Sequence, residues 1–108
     1  MPKRADILYE RANEAWNRGS MRAAFRLFLA AAKAGNPSAF GTLAQFCDFG
    51  KGVKFNESAA LYWYRRAYRH GDPAAANNIG CILRDQNKLD AALQWFHRAV
   101  KRGDVDAT

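Results

Sequence analysis

The sequence predicts an all-α protein of about three helix–turn–helix repeats, six helices in all. Three observations predict it. The chain is rich in Ala, with Leu, Arg and Lys, and poor in the strand-favouring Val, Ile and Thr. A stop–start pattern recurs as AKAGNPSA, YRHGDPAA and VKRGDVDA, ending at Ala39, Ala75 and Ala107. The segments that run into those stops also superpose: SMRAAFRLFLAAAKAG, ESAALYWYRRAYRHG and KLDAALQWFHRAVKRG. Recurrence at such a period marks stacked helix pairs.

Each stop–start has a physical reading. Gly35, Gly71 and Gly103 suit the left-handed residue that ends a helix. Asn36, Asp72 and Asp104 follow at once and suit an N-cap. Pro37 and Pro73 then suit a first helical turn, where no N–H is needed. In the first unit, helix A is predicted near Ala5 to Arg18, a Gly19-Ser20 turn follows, and helix B runs from Met21 to Ala34. In the second, helix A is predicted over Pro37 to Phe49 and helix B over Glu57 to His70. In the third, the pair covers Pro73 to Gln86 and Lys88 to Arg102. The units therefore span about 5–35, 36–71 and 72–103 of one domain, 1–108, with 104–108 opening a fourth. The A–B turn is long in unit two, GKGVKFN, and short in unit three, QNK.

The B helices share one packed face. A small residue recurs at Ala24, Ala60 and Ala92, an aromatic at Phe28, Tyr64 and Phe96, and a second small residue at Ala31, Ala67 and Ala99. These positions lie at i, i+4 and i+7, on one side of a helix. Helix A supplies the partner face: Phe40, Leu43, Ala44 and Cys47 in unit two, and Ala76, Ile79, Gly80 and Leu83 in unit three. Unit one is looser, with Leu8, Ala12 and Ala15, and Arg11 stands where the others have Leu43 or Ile79.

Composition narrows the function classes. No run approaches the roughly 18 apolar residues of a membrane span. The stretch MPKRADILYERANEAW has charges at both ends and no long apolar core, unlike a secretory leader. A cytoplasmic protein is expected. The two cysteines, Cys47 and Cys81, lack neighbours at ligand spacing, and His70 and His97 form no zinc pattern with them. Reduced, partly buried thiols are expected, with no metal and no cofactor. The triplet Asp48-Phe49-Gly50 mimics a kinase magnesium motif, but the Gly-rich loop, strand lysine and His-Arg-Asp loop that must accompany it are missing. Gly50-Lys51-Gly52-Val53 likewise fails the spacing of a phosphate loop. No nucleophile–base spacing and no metalloprotease or hydrolase signature occurs, so no catalytic residue is assigned and no enzyme is predicted.

The repeat pattern resembles tetratricopeptide repeats, and unit two resembles a Sel-1-like repeat more specifically. The residues that carry the resemblance are Leu43-Ala44, Cys47, Gly50-Lys51-Gly52-Val53, Asn56, Ala59-Ala60, Trp63-Tyr64, Arg66-Ala67-Tyr68 and Gly71. Ala44 and Cys47 depart from the family's Gly and Tyr. Unit three keeps Ile79-Gly80, Ala91-Ala92, Trp95-Phe96 and Arg98-Ala99-Val100 but has the shorter turn. The resemblance implies a right-handed α–α superhelix with helix A on the concave side and helix B on the convex side. It implies an adaptor that assembles complexes, often bacterial. It makes DFGKGV a turn, in which the glycines bend through positive φ, Val53 tucks back onto the helix pair and Asp48 ends helix A on the outside.

Two candidate surfaces follow. Superposition on tetratricopeptide groove positions gives a partner groove of Tyr9, Asn13, Trp16, Asn17, Gln45, Asp48, Asn77 and Arg84, with Asp6, Ser38, Gly41, Ala74, Cys81 and Asp85 beside them. Its amides both donate and accept, which suits an extended peptide backbone. The lysines of a carboxylate clamp are missing from these positions. The second surface answers to the net charge of +7. A basic ladder recurs on helix B: Lys33, Arg69 and Lys101, then Arg66 and Arg98, with Arg65 nearby. Helix C-termini favour cations in any case. Protein or peptide capture is therefore the first reading, and nucleic-acid binding by the ladder the second. The last residues, GDVDAT, begin a further helix and stop, which leaves Leu89, Leu93, Trp95 and Val100 of the last helix B partly uncovered. Continuation into more repeats is the preferred account of that face, and self-association the next.

Overall fold

The computed structural model describes residues 2–102, with the side chain of Arg102 excepted. The helices are α1 (Arg4–Asn17), α2 (Met21–Lys33), α3 (Ser38–Phe49), α4 (Glu57–Arg69), α5 (Ala75–Asp85) and α6 (Leu89–Arg102). They pack as three pairs, α1 with α2, α3 with α4 and α5 with α6, and each pair lies against the next. The stack measures 42 × 31 × 22 Å. This is an all-α helical-repeat superhelix. The stop–start at Gly103 and Asp104, and the fourth unit from 104 on, lie outside the described residues.

The turns form for the reasons the sequence gives, with one correction. Gly35 and Gly71 take left-handed φ of 105° and 89°, a region that costs a residue with a Cβ. The N-cap positions fall on Pro37 and Ala74, not on Asn36 and Asp72, whose side chains instead close tight turns just ahead of the helices. The Asn36 Oδ1 accepts from the Ser38 N–H at 2.9 Å, and the Asp72 Oδ1 accepts from the Ala74 N–H at 2.9 Å. Tight i→i+3 bonds follow, from Ala39 N–H to the Asn36 carbonyl and from Phe40 N–H to the Pro37 carbonyl. The regular helices therefore begin later than predicted, at Ser38 and Ala75, and Pro37 and Pro73 sit just ahead of them. Asn36 also donates to Asp6 Oδ1 at 3.2 Å, joining the first pair to the second.

The predicted small–aromatic–small face is the core. Ala24, Phe28, Ala31, Ala60, Tyr64, Ala67, Ala92 and Ala99 are all buried. Around Phe28, the rings of Tyr9, Trp16, Phe25 and Phe46 knit α1, α2 and α3 together. A second cluster joins Ala44, Cys47, Leu61 and Tyr64 to Ile79, Ile82 and Leu83. Gly80 is buried where α5 meets α6, and a Cβ there would strike the Phe96 ring.

Candidate functional site

The long turn of unit two is structural, as the sequence argued. Gly50 ends α3 at a left-handed φ of 66°, Val53 packs back on the first core cluster, and Phe49 is two-thirds exposed. Asp48 differs from expectation. It is half-buried and accepts a hydrogen bond from Tyr64 Oη at 3.2 Å. The bond ties the end of α3 to α4.

That contact marks one end of a cleft between α3 and α5. A cavity of about 160 Å³ is lined by Ser38, Gly41, Thr42 and Gln45 from α3, Asp72, Ala74 and Asn78 from the start of the third unit, and Tyr64. The α3 residues recur at helical spacing and form one stripe. Gly41 lets the Asp72 carboxylate cross close to α3, since a Cβ there would meet Asp72 Oδ2. The cleft is rich in acceptors. Asp48 lies one turn beyond Gln45, with Glu57 and Asp85 close enough to feel its charge. Glu57 accepts from Gln86 Nε2 at 2.7 Å, and Gln86 Oε1 is buried without a partner. Arg84 pairs with its own neighbour Asp85 at 3.5 Å, both exposed; this is the one salt bridge among the described residues.

Burial pushes the Asp48 carboxyl above its ordinary range; the Tyr64 hydrogen bond pulls the other way, and Glu57 and Asp85 raise it again. Burial, and then the Asp48 charge, push the Tyr64 hydroxyl up as well, so it stays a donor at physiological pH. Burial raises the Cys47 thiol too, which keeps it protonated and inert. The folded state therefore binds the Asp48 proton more tightly than the unfolded chain does. Its contribution to stability is present at acid pH and is lost as pH rises from the ordinary carboxylate range through the raised value. Asp48→Asn keeps an acceptor for Tyr64 and removes the charge. The variant is expected to melt ~1–3 °C higher at pH 7 and to lose the wild-type decline in melting temperature as pH rises out of the ordinary carboxylate range, as read by circular dichroism across pH.

The predicted groove residues divide. Gln45 lines the cleft and Asp48 borders it. Asn78 lines it where Asn77 was predicted, and Thr42, Tyr64 and Asp72 join it unpredicted. An i+4 step from Ala74, in place of i+3, would have found Asn78. Tyr9 and Trp16 are half-buried, their rings edge-on to Phe28 at 5.6 and 6.1 Å, so they brace the core. Asn13 is half-buried on α1, Asn17 and Arg84 are exposed, and none of them lines the cleft.

The basic ladder also divides. Lys33, Arg65, Arg69 and Lys101 are exposed. Arg66 is half-buried, its guanidinium 4.5 Å from the Phe40 ring centre, 5.3 Å from Trp63 and 5.7 Å from Tyr62. It also donates to Tyr62 Oη at 3.3 Å. Arg98 lies 4.4 Å over Trp95. These two arginines are seated on aromatic faces of their own fold. Among the described residues, no group of three or more His, Cys, Asp or Glu could hold a metal ion, and no helix is long and apolar enough to cross a membrane.

Helix pairs stacked with neighbour-only contacts define a helical-repeat protein. The Sel1 repeat model matches residues 18–36, 43–72 and 73–104, and the chain belongs to the Sel1 repeat family. Sel1 repeats are generally protein–protein interaction modules. Among solved structures, the chain is similar to a Sel1 repeat protein from Oxalobacter formigenes, at 23% identity and a TM-score of 0.74. That match covers 94% of this chain and 45% of the other, so this chain spans under half the length of its structural relative. No curated protein matches the chain.

Proposed function

We propose that this chain is a non-enzymatic scaffold that holds an extended segment of a partner protein in the α3–α5 cleft, with a Lys or Arg of that segment at its acidic end. The observation that carries this reading is the cleft itself, built from two successive repeats and lined by Gln45, Asn78, Thr42 and Ser38. Amides and hydroxyls at this spacing pair with both backbone donors and acceptors. The carboxylates of Asp48 and Asp72 supply the site for a cation. The groove thus runs against the overall charge of +7, which selects a basic segment locally on a basic protein.

The test is a pull-down from lysate with and without nuclease, followed by titration of the recovered peptide by fluorescence anisotropy. A protein partner that survives nuclease supports the reading. Gln45→Arg combined with Asn78→Arg is then expected to weaken the peptide at least about tenfold, by filling the cleft and repelling the cation. Charge reversal at Arg65 and Arg69 is expected to leave it unchanged.

Nucleic-acid binding is the second reading, favoured by the exposure of Lys33, Arg65, Arg69 and Lys101, none of them in a salt bridge among the described residues. Recovery of nucleic acid, with proteins lost on nuclease treatment, would overturn the scaffold reading and move the site to α2, α4 and α6. In that case the reversal at Arg65 and Arg69 abolishes binding and the cleft variant leaves it intact.

A further inference from the structure

Two half-buried carboxylates stand at the cleft, and neither is matched by a cation. Asp48 accepts from Tyr64 Oη, and Asp72 accepts from the Ala74 N–H. Neither forms a salt bridge among the described residues, although the chain carries 17 lysines and arginines. Asp72 also opens on more space than the cleft alone. It lines a second cavity of about 310 Å³, walled by Pro37, Ser38, Ala67, His70 and Gly71. The two cavities share Ser38 and Asp72, so a bound segment can continue past Asp72.

Helix α3 sets the spacing of the two carboxylates. A Cβ on Gly41 would meet Asp72 Oδ2, so that carboxylate crosses α3 at residue 41. Residues 41, 45 and 48 lie on one stripe, at i, i+4 and i+7. Asp48 therefore stands two turns along the same stripe, about 10 Å away. One cation cannot bond to both, because a charge-assisted hydrogen bond needs about 3 Å. The reading of the cleft above asks for one cation; the helix geometry offers seats for two. A polyproline II segment fits that interval. It rises about 3.1 Å per residue and turns once in three, so its side chains i and i+3 share a face about 9 Å apart. A β-strand fits poorly, since i and i+3 point to opposite faces and i and i+2 lie only about 7 Å apart. Polyproline II also leaves its backbone polar groups free. Gln45, between the two seats, and Asn78, in the same cavity, can pair with them.

Resting on that reading of the cleft, we infer that the partner segment is a polyproline II stretch with two basic residues three positions apart, one seated on Asp72 and the other on Asp48. Fluorescence anisotropy of the 108-residue chain with short, fluorescein-labelled proline–alanine peptides tests it. The peptides carry Lys-x-x-Lys, Lys-x-Lys or a single Lys. Lys-x-x-Lys is expected to bind at least about fivefold tighter than the others. Asp72→Asn is expected to make one of its lysines dispensable, and Asp48→Asn the other, which also reads the direction of the segment. Both variants keep the local bonds. Asn36 already closes in unit two the side-chain turn that Asp72 closes in unit three, and an amide at 48 still accepts from Tyr64. Glu10→Gln, exposed on α1, is expected to have no effect. Equal affinity across the peptides overturns the inference. So does indifference to both aspartate variants, or no binding by any peptide. The partner segment recovered by pull-down keeps the two failures apart. If Gln45→Arg with Asn78→Arg weakens it and the aspartate variants do not, the inference fails and the cleft reading stands. If the cleft variant has no effect on it, the cleft reading itself fails.

Discussion

Phe46→Ala is expected to lower the free energy of unfolding by about 3–5 kcal/mol, the usual cost of deleting a fully buried aromatic ring. Phe46 has no exposed surface. Its ring centre lies 5.3 Å from that of Trp16, 5.7 Å from Phe28 and 6.1 Å from Phe25, so one side chain contacts both helices of the first pair. Ring pairs at these separations contribute beyond their buried area. The variant leaves a void where α1, α2 and α3 meet, walled by rings that cannot collapse into it without moving a helix. In a stack with neighbour-only contacts, no other interface can share the loss. A small domain has about 5–15 kcal/mol in total, so Phe46→Ala is expected to be at least partly unfolded at 37 °C. Urea unfolding by circular dichroism gives the number. Phe96, which is half-buried in the third pair, is the internal comparison, and its alanine variant is expected to lose less. A loss at Phe46 under about 1.5 kcal/mol would mean that the first pair is not anchored through this ring.

The sequence was most legible where local chemistry repeats. Glycine followed by Asn or Asp sets each junction, and the small–aromatic–small register gives the buried face of every B helix, because both depend on residues a few positions apart. What was not legible depends on residues brought from other helices. Arg66 reads as a rung of a solvated ladder until Phe40 arrives from α3 beneath it. Asp48 reads as an exposed helix end until Tyr64 reaches it from α4. The choice of Asn78 over Asn77 depends on a helix start delayed by the Asp72 side-chain turn, and each residue of such a delay rotates the later positions by about 100°. The groove assigned from resemblance spans α1, α3 and α5, whereas the cleft is lined from α3, Tyr64 of α4 and the start of the third unit. Charge shows the same division. A net charge of +7 describes the whole surface, while the cleft gathers Asp48 and Asp72 from separate units, and no linear pattern joins them.

Gly52→Ala is expected to cost about 2–4 kcal/mol, from two sources acting together. Gly52 has φ of 62°, in the left-handed region. A Cβ there would also drive into backbone, the Met21 carbonyl and the Arg22 nitrogen at the start of α2. A side chain could swing aside, but a helix terminus cannot do so without pulling α2 off its core. Gly50 separates the two sources. It has a similar φ of 66°, yet the nearest atoms to an added Cβ lie at 3.5–3.7 Å, which is ordinary contact. Gly50→Ala is therefore expected to cost only the conformational share, roughly 1–2 kcal/mol. The difference between the two variants in urea unfolding measures the contact alone. A difference near zero would mean that the turn moves freely over α2. A large one would mean that the long turn clasps the preceding repeat, as three contacts already indicate: Val53 packs on the first core cluster, the Lys51 Nζ lies 5.7 Å from the centre of the Trp16 ring, and Gly52 rests on α2. The Gly-Lys-Gly-Val stretch then acts between units. Its two glycines serve different ends: Gly50 lets the chain leave α3, and Gly52 lets it touch α2 of the preceding unit.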